Sequence, residues 1–373
     1  MTTDAPQHTQ GPAPRPAAKR PAGRRRVLGW TVHAVLFVAL AAGVFGLLPR
    51  LGGVAHDAAE LRHARPGFIV AAVAAQAASL AAYALLYRSV QVSLGGRLGF
   101  PLAARVVLAT FLVSHLTPFG SVTGTLLNVN SMESAGIPAA TTAEAVALTT
   151  LVSTLALIAL FGAGLIATAG HVASVYLLIA AGALVIAGAA LAVALALGAH
   201  PAAAGRAGRW AAGLLRRLRP GTDPGQIAAS WRRIATTART ALSGRAFVRS
   251  FCFASADLLF DLLSLGLMFA ALGSRPGFGP LAVAYAAANI ASVIPIAPGG
   301  LGVIEVTLVA VTAGFGVPRA TAVLAVLGYR LVNYWLPMPA GAVAYLRLRL
   351  FTRKGSAAAG SAATGSAATG EPA

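Results

Sequence analysis

Six stretches of this chain run for about 20 residues or more with few charges, roughly 28–48, 67–88, 138–167, 173–198, 248–272 and 318–346. A bilayer core about 30 Å thick takes about 20 apolar residues to cross as a helix. Inside it every backbone N–H and C=O must find its partner within the segment. Composition decides between membrane spans and buried helices of a soluble protein. Hydrophobic residues make up 57% and charged residues 10% of the 373, with a mean hydropathy of +0.75. Soluble domains average about 25% charged residues, so this chain lacks the polar surface to fold in water. The expected class is an all-α polytopic membrane protein.

The net charge of +19 would fit a nucleic-acid binder, but its distribution does not. The basic residues fall in blocks between apolar runs. The first holds Arg15, Lys19, Arg20, Arg24, Arg25 and Arg26, the second ten arginines from Arg206 to Arg249, and the third Arg347, Arg349, Arg353 and Lys354. Such blocks are the positive-inside signal and attract anionic headgroups. The expected surroundings are therefore the plasma membrane with both termini cytoplasmic, and no nucleic acid. Residues 1–27 read as a disordered basic tail and 349–373 as a disordered small-residue tail. The polar N-terminal stretch does not look like a cleavable leader. Within the loop 199–247, GRWAAGLLRRLRP and ASWRRIATTART read as cationic amphipathic helices for an anionic leaflet. Cys252 lies in an apolar run and reads as a small core residue, which leaves no disulfide framework.

Two further apolar stretches, about 103–136 and 280–316, are interrupted near their middles by PFG (Pro118 to Gly120) and PGG (Pro298 to Gly300). Each half is about 12–18 residues long, short for a crossing. The charge rule puts both ends of the first stretch inside and both ends of the second outside. They read as re-entrant broken-helix hairpins entering from opposite faces; pairs of short true spans would give the same sidedness. The two stretches also match at an offset of 180 residues: Pro118 with Pro298, Gly120 with Gly300, Gly136 with Gly316, Ile137 with Val317, Pro138 with Pro318 and Ala140 with Ala320. The expected organisation is an inverted repeat within 28–348. Copy one covers about 67–198, the basic loop 199–247 follows, and copy two covers about 248–348. Inverted repeats with broken helices are a transporter design, because the breaks expose backbone polar groups near the midplane.

Ionisable residues in apolar segments are costly and normally have a partner or a task. Here they are His33, His115, Glu133, Glu144, Asp257, Asp261, Glu305 and Arg330. Asp257 and Asp261 are four apart and share a helical face. With Glu305, which follows the second break, and Arg330 in LGYRLVNYW, they would form a cavity of one fixed cation and three carboxylates. Arginine grips a phosphate oxygen pair with two donors. The same cluster could instead only fix helix packing. His115, just before the first break, could donate to a headgroup or simply be hydrogen bonded. The expected substrate-binding set is Arg330, Glu305, Asp257, Asp261, His115, Tyr329 and Asn333, with backbone breaks at Pro118, Gly120, Pro298, Gly299, Gly300 and Gly302. No metal-ligand spacing, P-loop or nucleophile–base pair is present, so neither metal nor cofactor is expected.

SHLTPFGSVTG, the block IPIAPGGLGVIE followed by GVPRA, and GYRLVNYWLPMPAG together resemble the transmembrane region of lysylphosphatidylglycerol synthases, whose stand-alone relatives are flippase-like membrane proteins. The resemblance covers roughly residues 25–350. It implies a polytopic helical fold with re-entrant segments and movement of a phospholipid or polyprenyl-linked lipid between leaflets. The matching positions are Pro298, Gly299, Gly300, Gly302, Glu305, Tyr329 and Arg330. At the repeat offset from Tyr329 and Arg330 the first copy carries Thr149 and Thr150. Only the short tail follows the membrane region, so the synthases' soluble aminoacyl-transferase domain is not expected, and neither is enzymatic activity. The expected function is lipid translocation, with anionic phospholipid or polyprenyl-phosphate lipid as partner and Arg330→Ala as a folded but inactive variant. The alternatives are a non-transporting accessory subunit bound to envelope-biosynthesis enzymes and an ion-coupled transporter of a soluble anion.

Overall fold

The computed structural model describes residues 64–117, 120–168, 244–292 and 300–350, with the single position 182. The segments 28–48 and 173–198, most of the loop 199–247, both tails, and the break residues Pro118, Pro298 and Gly299 lie outside the described residues. The described chain is helical, with no strand: α1 (Pro66–Ser93), α2 (Phe100–Leu116), α3 (Gly120–Glu133), α4 (Ala139–Thr168), α5 (Arg245–Ala271), α6 (Phe278–Ala291), α7 (Val303–Gly314) and α8 (Arg319–Arg330). A π turn, Leu331–Trp335, continues α8 into a last helical run over 337–350, here α9. Three of these helices, α1, α4 and α5, are long and apolar enough to cross a membrane by length and composition. Large apolar side chains such as Val70, Ile166, Leu263 and Leu346 face outward, as expected where the surroundings are lipid. Cys252 faces outward too. Its assignment to the core is corrected, because burial inside protein gains little for an apolar side chain whose solvent is hydrocarbon.

The local geometry repeats. Met132 O accepts from Ile137 N at 2.9 Å and Glu133 O from Gly136 N at 3.0 Å. One copy on, Thr312 O accepts from Val317 N at 3.2 Å and Ala313 O from Gly316 N at 2.9 Å. Both are Schellman caps closing on a left-handed glycine, Gly136 at φ 82° and Gly316 at φ 89°, a conformation that favours glycine. In each copy a proline then starts a helix. The ends of α1 and α5 form the same pair of bonds, Gly96 N to Gln91 O at 2.9 Å and Ser274 N to Phe269 O at 3.1 Å. That pair is 178 residues apart rather than 180, so the second broken stretch is two residues longer than the first. The extra length falls at the break. There Gly300 is left-handed at φ 66°, whereas Gly120 simply begins α3.

Equivalent helices pack antiparallel. Arg65 N reaches Ala271 O at 3.0 Å, Ser264 Oγ reaches Ala72 O at 3.0 Å, Ser79 Oγ reaches Asp257 Oδ1 at 2.7 Å, and Ser89 Oγ meets Ser250 Oγ at 2.9 Å. Residue numbers rise along α1 as they fall along α5. The long helices that follow each broken stretch pack against the other stretch. Thr168 and Gly164 of α4 lie against Gly279 and Ala282 of α6, and Gly341 of α9 lies against Leu108 and Leu112 of α2. Arg88 binds Leu98 O and Arg249 binds Ser89 Oγ, while Leu348 joins the cluster of Leu98, Ala103 and Ile137. The starts of α2 and α5 and the ends of α1, α3 and α9 therefore gather at one end of the body.

Small residues permit these approaches. A Cβ at Gly341 would stand 2.7 Å from Leu108 O, a backbone atom, whereas one at Gly67 would meet nothing within 4 Å. Gly341→Val is therefore expected to cost about 1–3 kcal/mol through overpacking and to lower the melting temperature in detergent. Gly67→Ala is expected to leave it unchanged. Equal melting of the two variants would show that the α2–α9 contact is looser than described.

Candidate functional site

Polar residues from six helical elements converge on one cavity. Gln76, Ser79, Tyr83 and Tyr87 follow helical spacing along one face of α1. They border a cavity of about 380 Å³ that Thr110 and His115 of α2, Asn128 of α3, Thr149 and Thr150 of α4, Asp257 and Asp261 of α5, and Asn333 of the π turn also line. The cavity thus lies between the two halves. Its middle is marked by the Ser79–Asp257 hydrogen bond, half-way along both α1 and α5. Toward one end Gln91 Nε2 donates to Tyr87 Oη at 2.8 Å, and Tyr87 Oη donates to Asn128 Oδ1 at 2.5 Å.

The two aspartates differ in their surroundings. Asp261 accepts from Tyr285 Oη at 2.7 Å, Asn333 Nδ2 at 2.8 Å and Tyr329 Oη at 3.0 Å. Three elements of the second copy (α6, α8 and the π turn) therefore close on one carboxylate. Asp257 accepts only from Ser79 among the described residues. The π turn is the clearest departure from the repeat, since the matching residues of α4 are regular helix. Such turns are frequent at functional sites, and this one carries Asn333.

Arg330 and Glu305 take no part in lining this cavity. Arg330 Nε lies 2.6 Å from Glu305 Oε1, and the two residues are 3% and 1% exposed. The other carboxylate oxygen, Oε2, accepts from Gly302 N at 2.6 Å. Glu305 is the third residue of α7, so it reaches back to the N-cap amide as in half of a capping box. Gly302, at φ 86°, provides the left-handed entry. The guanidinium also lies over the Tyr334 ring, 4.5 Å from its centroid. Tyr334 Oη in turn donates to His115 O at 3.3 Å, and its ring meets the His115 imidazole edge-on at 5.0 Å. His115 Nδ1 pairs with Phe111 O at 2.7 Å.

The expected single cavity of one cation and three carboxylates is therefore corrected to two sites. Asp257, Asp261, His115 and Asn333 border the cavity. Arg330 and Glu305 form a buried strut that ties the second break to α8, and Tyr329 supports Asp261 from the side. A charge pair without its own water is stable only when each member satisfies the other, so the arginine is taken by the carboxylate nearest it. Gln76, Ser79, Tyr83, Tyr87, Asn128 and Tyr285 were not singled out in the sequence, because a search for ionisable residues passes over neutral ones. The signal that finds most of them is the polar stripe at 76, 79, 83 and 87 in an otherwise apolar helix.

Removing one partner of a buried pair leaves an uncompensated charge, which costs about 3–5 kcal/mol. Arg330→Ala and Glu305→Ala are each expected to destabilise the protein by that order in thermal unfolding, so the expectation of a folded Arg330→Ala variant is withdrawn. The double variant Arg330→Met, Glu305→Leu is expected to recover much of the loss. Additive losses in the double variant would mean that the two side chains are not coupled.

The sequence pattern of the lysylphosphatidylglycerol synthase TM region matches residues 32–341 of the chain. A UPF0104 membrane protein of Methanothermobacter thermautotrophicus is 31% identical over 85 residues, 23% of this chain and 25% of that protein. Another from Pyrococcus horikoshii is 32% identical over 89 residues, 24% of this chain and 27% of that protein. The chain thus matches about a quarter of the length of these curated relatives. With the pattern matched over most of its length, the chain belongs to the lysylphosphatidylglycerol synthase transmembrane-region family of membrane proteins.

Proposed function

We propose that the chain translocates a phospholipid or polyprenyl-linked lipid between the leaflets of the plasma membrane, without enzymatic activity of its own. The observation that carries this reading is the polar cavity between two antiparallel, repeated halves, in a body whose outer surface is apolar. Lipid tails would stay in the hydrocarbon while the headgroup passes the cavity. Family membership supports a lipid-related role.

The proposed architecture is the inverted repeat, with about six full spans and two re-entrant hairpins of opposite entry, over 28–348. It is supported by the antiparallel packing of α1 on α5 and by the exchanged contacts of α4 with α6 and α9 with α2. The hairpin arms α2, α3, α6 and α7 hold 17, 14, 14 and 12 residues. At about 1.5 Å per residue the shortest falls well short of a bilayer core. Cytoplasmic placement of both termini is supported by the gathering of Arg88, Arg97, Arg249 and Arg347 at one end of the body. Phosphate is not proposed to bind Arg330. A headgroup would meet Asn128, Thr150 and Asn333 beside the two aspartates.

Reconstituted vesicles carrying headgroup-labelled phosphatidylglycerol, quenched from outside, test the reading. Wild type is expected to expose inner-leaflet label faster than protein-free vesicles. Asp261→Asn is expected to slow it about tenfold or more, on the order of the 1.5–3 kcal/mol of a hydrogen bond to a charged group. If wild type moves neither this lipid nor a polyprenyl phosphate, and instead co-purifies with an envelope synthase, the accessory-subunit reading replaces this one.

A further inference from the structure

Three residues that line the cavity carry a buried oxygen without a hydrogen-bond partner among the described residues. Gln76 is 4% exposed and Thr149 is 2% exposed, and neither the Gln76 Oε1 nor the Thr149 Oγ1 has a partner among the described residues. Thr110 Oγ1 is likewise buried and unpartnered. All three residues line the cavity together with Asp257. Asp261 is enclosed by three donors, whereas Asp257 has one and keeps its remaining lone pairs. No lysine or arginine is among the described residues lining this cavity.

Gln76 Oε1, as oriented here, and the Asp257 carboxylate oxygens are all acceptors and cannot satisfy one another. Water would satisfy the amide and the hydroxyls but would leave the carboxylate's charge uncompensated. A hard cation bound through oxygen satisfies all of them, and a single positive charge serves Asp257, because Asp261 already has three donors. Location adds a second argument. Ser79 and Asp257 are equivalent positions, 178 residues apart like the helix ends around them, and they bond to each other. Only the crossing point of two antiparallel equivalent helices has that property, and it is equally far from both ends of the body.

We propose that Asp257, with Gln76 Oε1 and the hydroxyls of Thr110 and Thr149, forms a binding site for a monovalent alkali cation of sodium size. Bound there, the ion neutralises Asp257 at mid-depth and sits where either face can load or release it. Coupling of that ion to lipid movement rests on the transport reading above; the binding does not.

The test is a scintiliation-type equilibrium binding measurement with radiolabelled sodium on the full-length protein in detergent, choline replacing sodium as the bulk cation. Wild type is expected to bind sodium saturably, with displacement by unlabelled sodium and not by choline, and to melt at higher temperature as sodium is raised. Asp257→Asn is expected to lose binding and the melting shift, and Gln76→Leu to weaken both. Glu133→Gln, at the exposed end of α3, is expected to behave as wild type. Should Asp257→Asn fail to fold, Gln76→Leu and the wild-type melting shift decide the matter. Absence of sodium-specific binding in wild type, as simple hydration or proton binding would give, overturns the site, and so does undiminished binding in both cavity variants. Wild type that moves lipid without binding sodium removes this site and leaves the transport reading standing. Sodium binding without lipid movement does the reverse.

Discussion

The antiparallel crossing of α1 and α5 is the contact on which the rest of the body depends. Its hydrogen bonds run from Arg65–Ala271 at one end, through Ser264–Ala72 and Ser79–Asp257, to Ser89–Ser250 at the other. Side-chain oxygens take up most of this ladder because both helices already spend their backbone groups internally, as a low-dielectric solvent requires. Once the two helices are locked in this register, each copy's hairpin and last helix follow. α4 closes over α6, α9 closes over α2, and the polar residues of six elements are left facing one another.

The same economy explains the two fates of the buried charges. Arg330 and Glu305 are buried and do not line the cavity, and they neutralise each other at 2.6 Å while Glu305 also caps α7. Asp261 is held by three donors from the second copy. Asp257 is held by one, at the point where the halves meet. A packing residue ends with its hydrogen-bonding capacity filled, and a residue poised to receive something does not. Asp257 borders the cavity with one hydrogen bond, whereas Arg330 is paired with Glu305 outside the cavity lining.

Part of this was legible from residue order alone. Length and apolarity identified α1, α4 and α5 as spans, and the breaks near 118 and 298 separated α2 from α3 and α6 from α7. The matched Gly136–Ile137–Pro138 and Gly316–Val317–Pro318 correspond to the same Schellman cap followed by a proline-started helix. Asp257 and Asp261, four residues apart on α5, both line the cavity. Other features were hidden. Cys252 faces outward because in lipid an apolar run does not reveal which side is buried. The polar stripe of α1 is inconspicuous in the sequence because glutamine, serine and tyrosine carry no charge.

The sequence by itself determined the apolar surroundings, the helices and the matched glycine–proline pattern at 136–138 and 316–318. Each of these follows from local chemistry: backbone bonds satisfied within a segment, glycine and proline at fixed positions, and charge excluded from hydrocarbon. Tertiary structure alone decided who partners whom. Glu305 and Arg330 are 25 residues apart, Ser79 and Asp257 178 apart, and no local rule links them. Electrostatic pairing at low dielectric is set by distances of a few ångströms between side chains on different helices, so the separation of strut from cavity emerges only when the two copies pack.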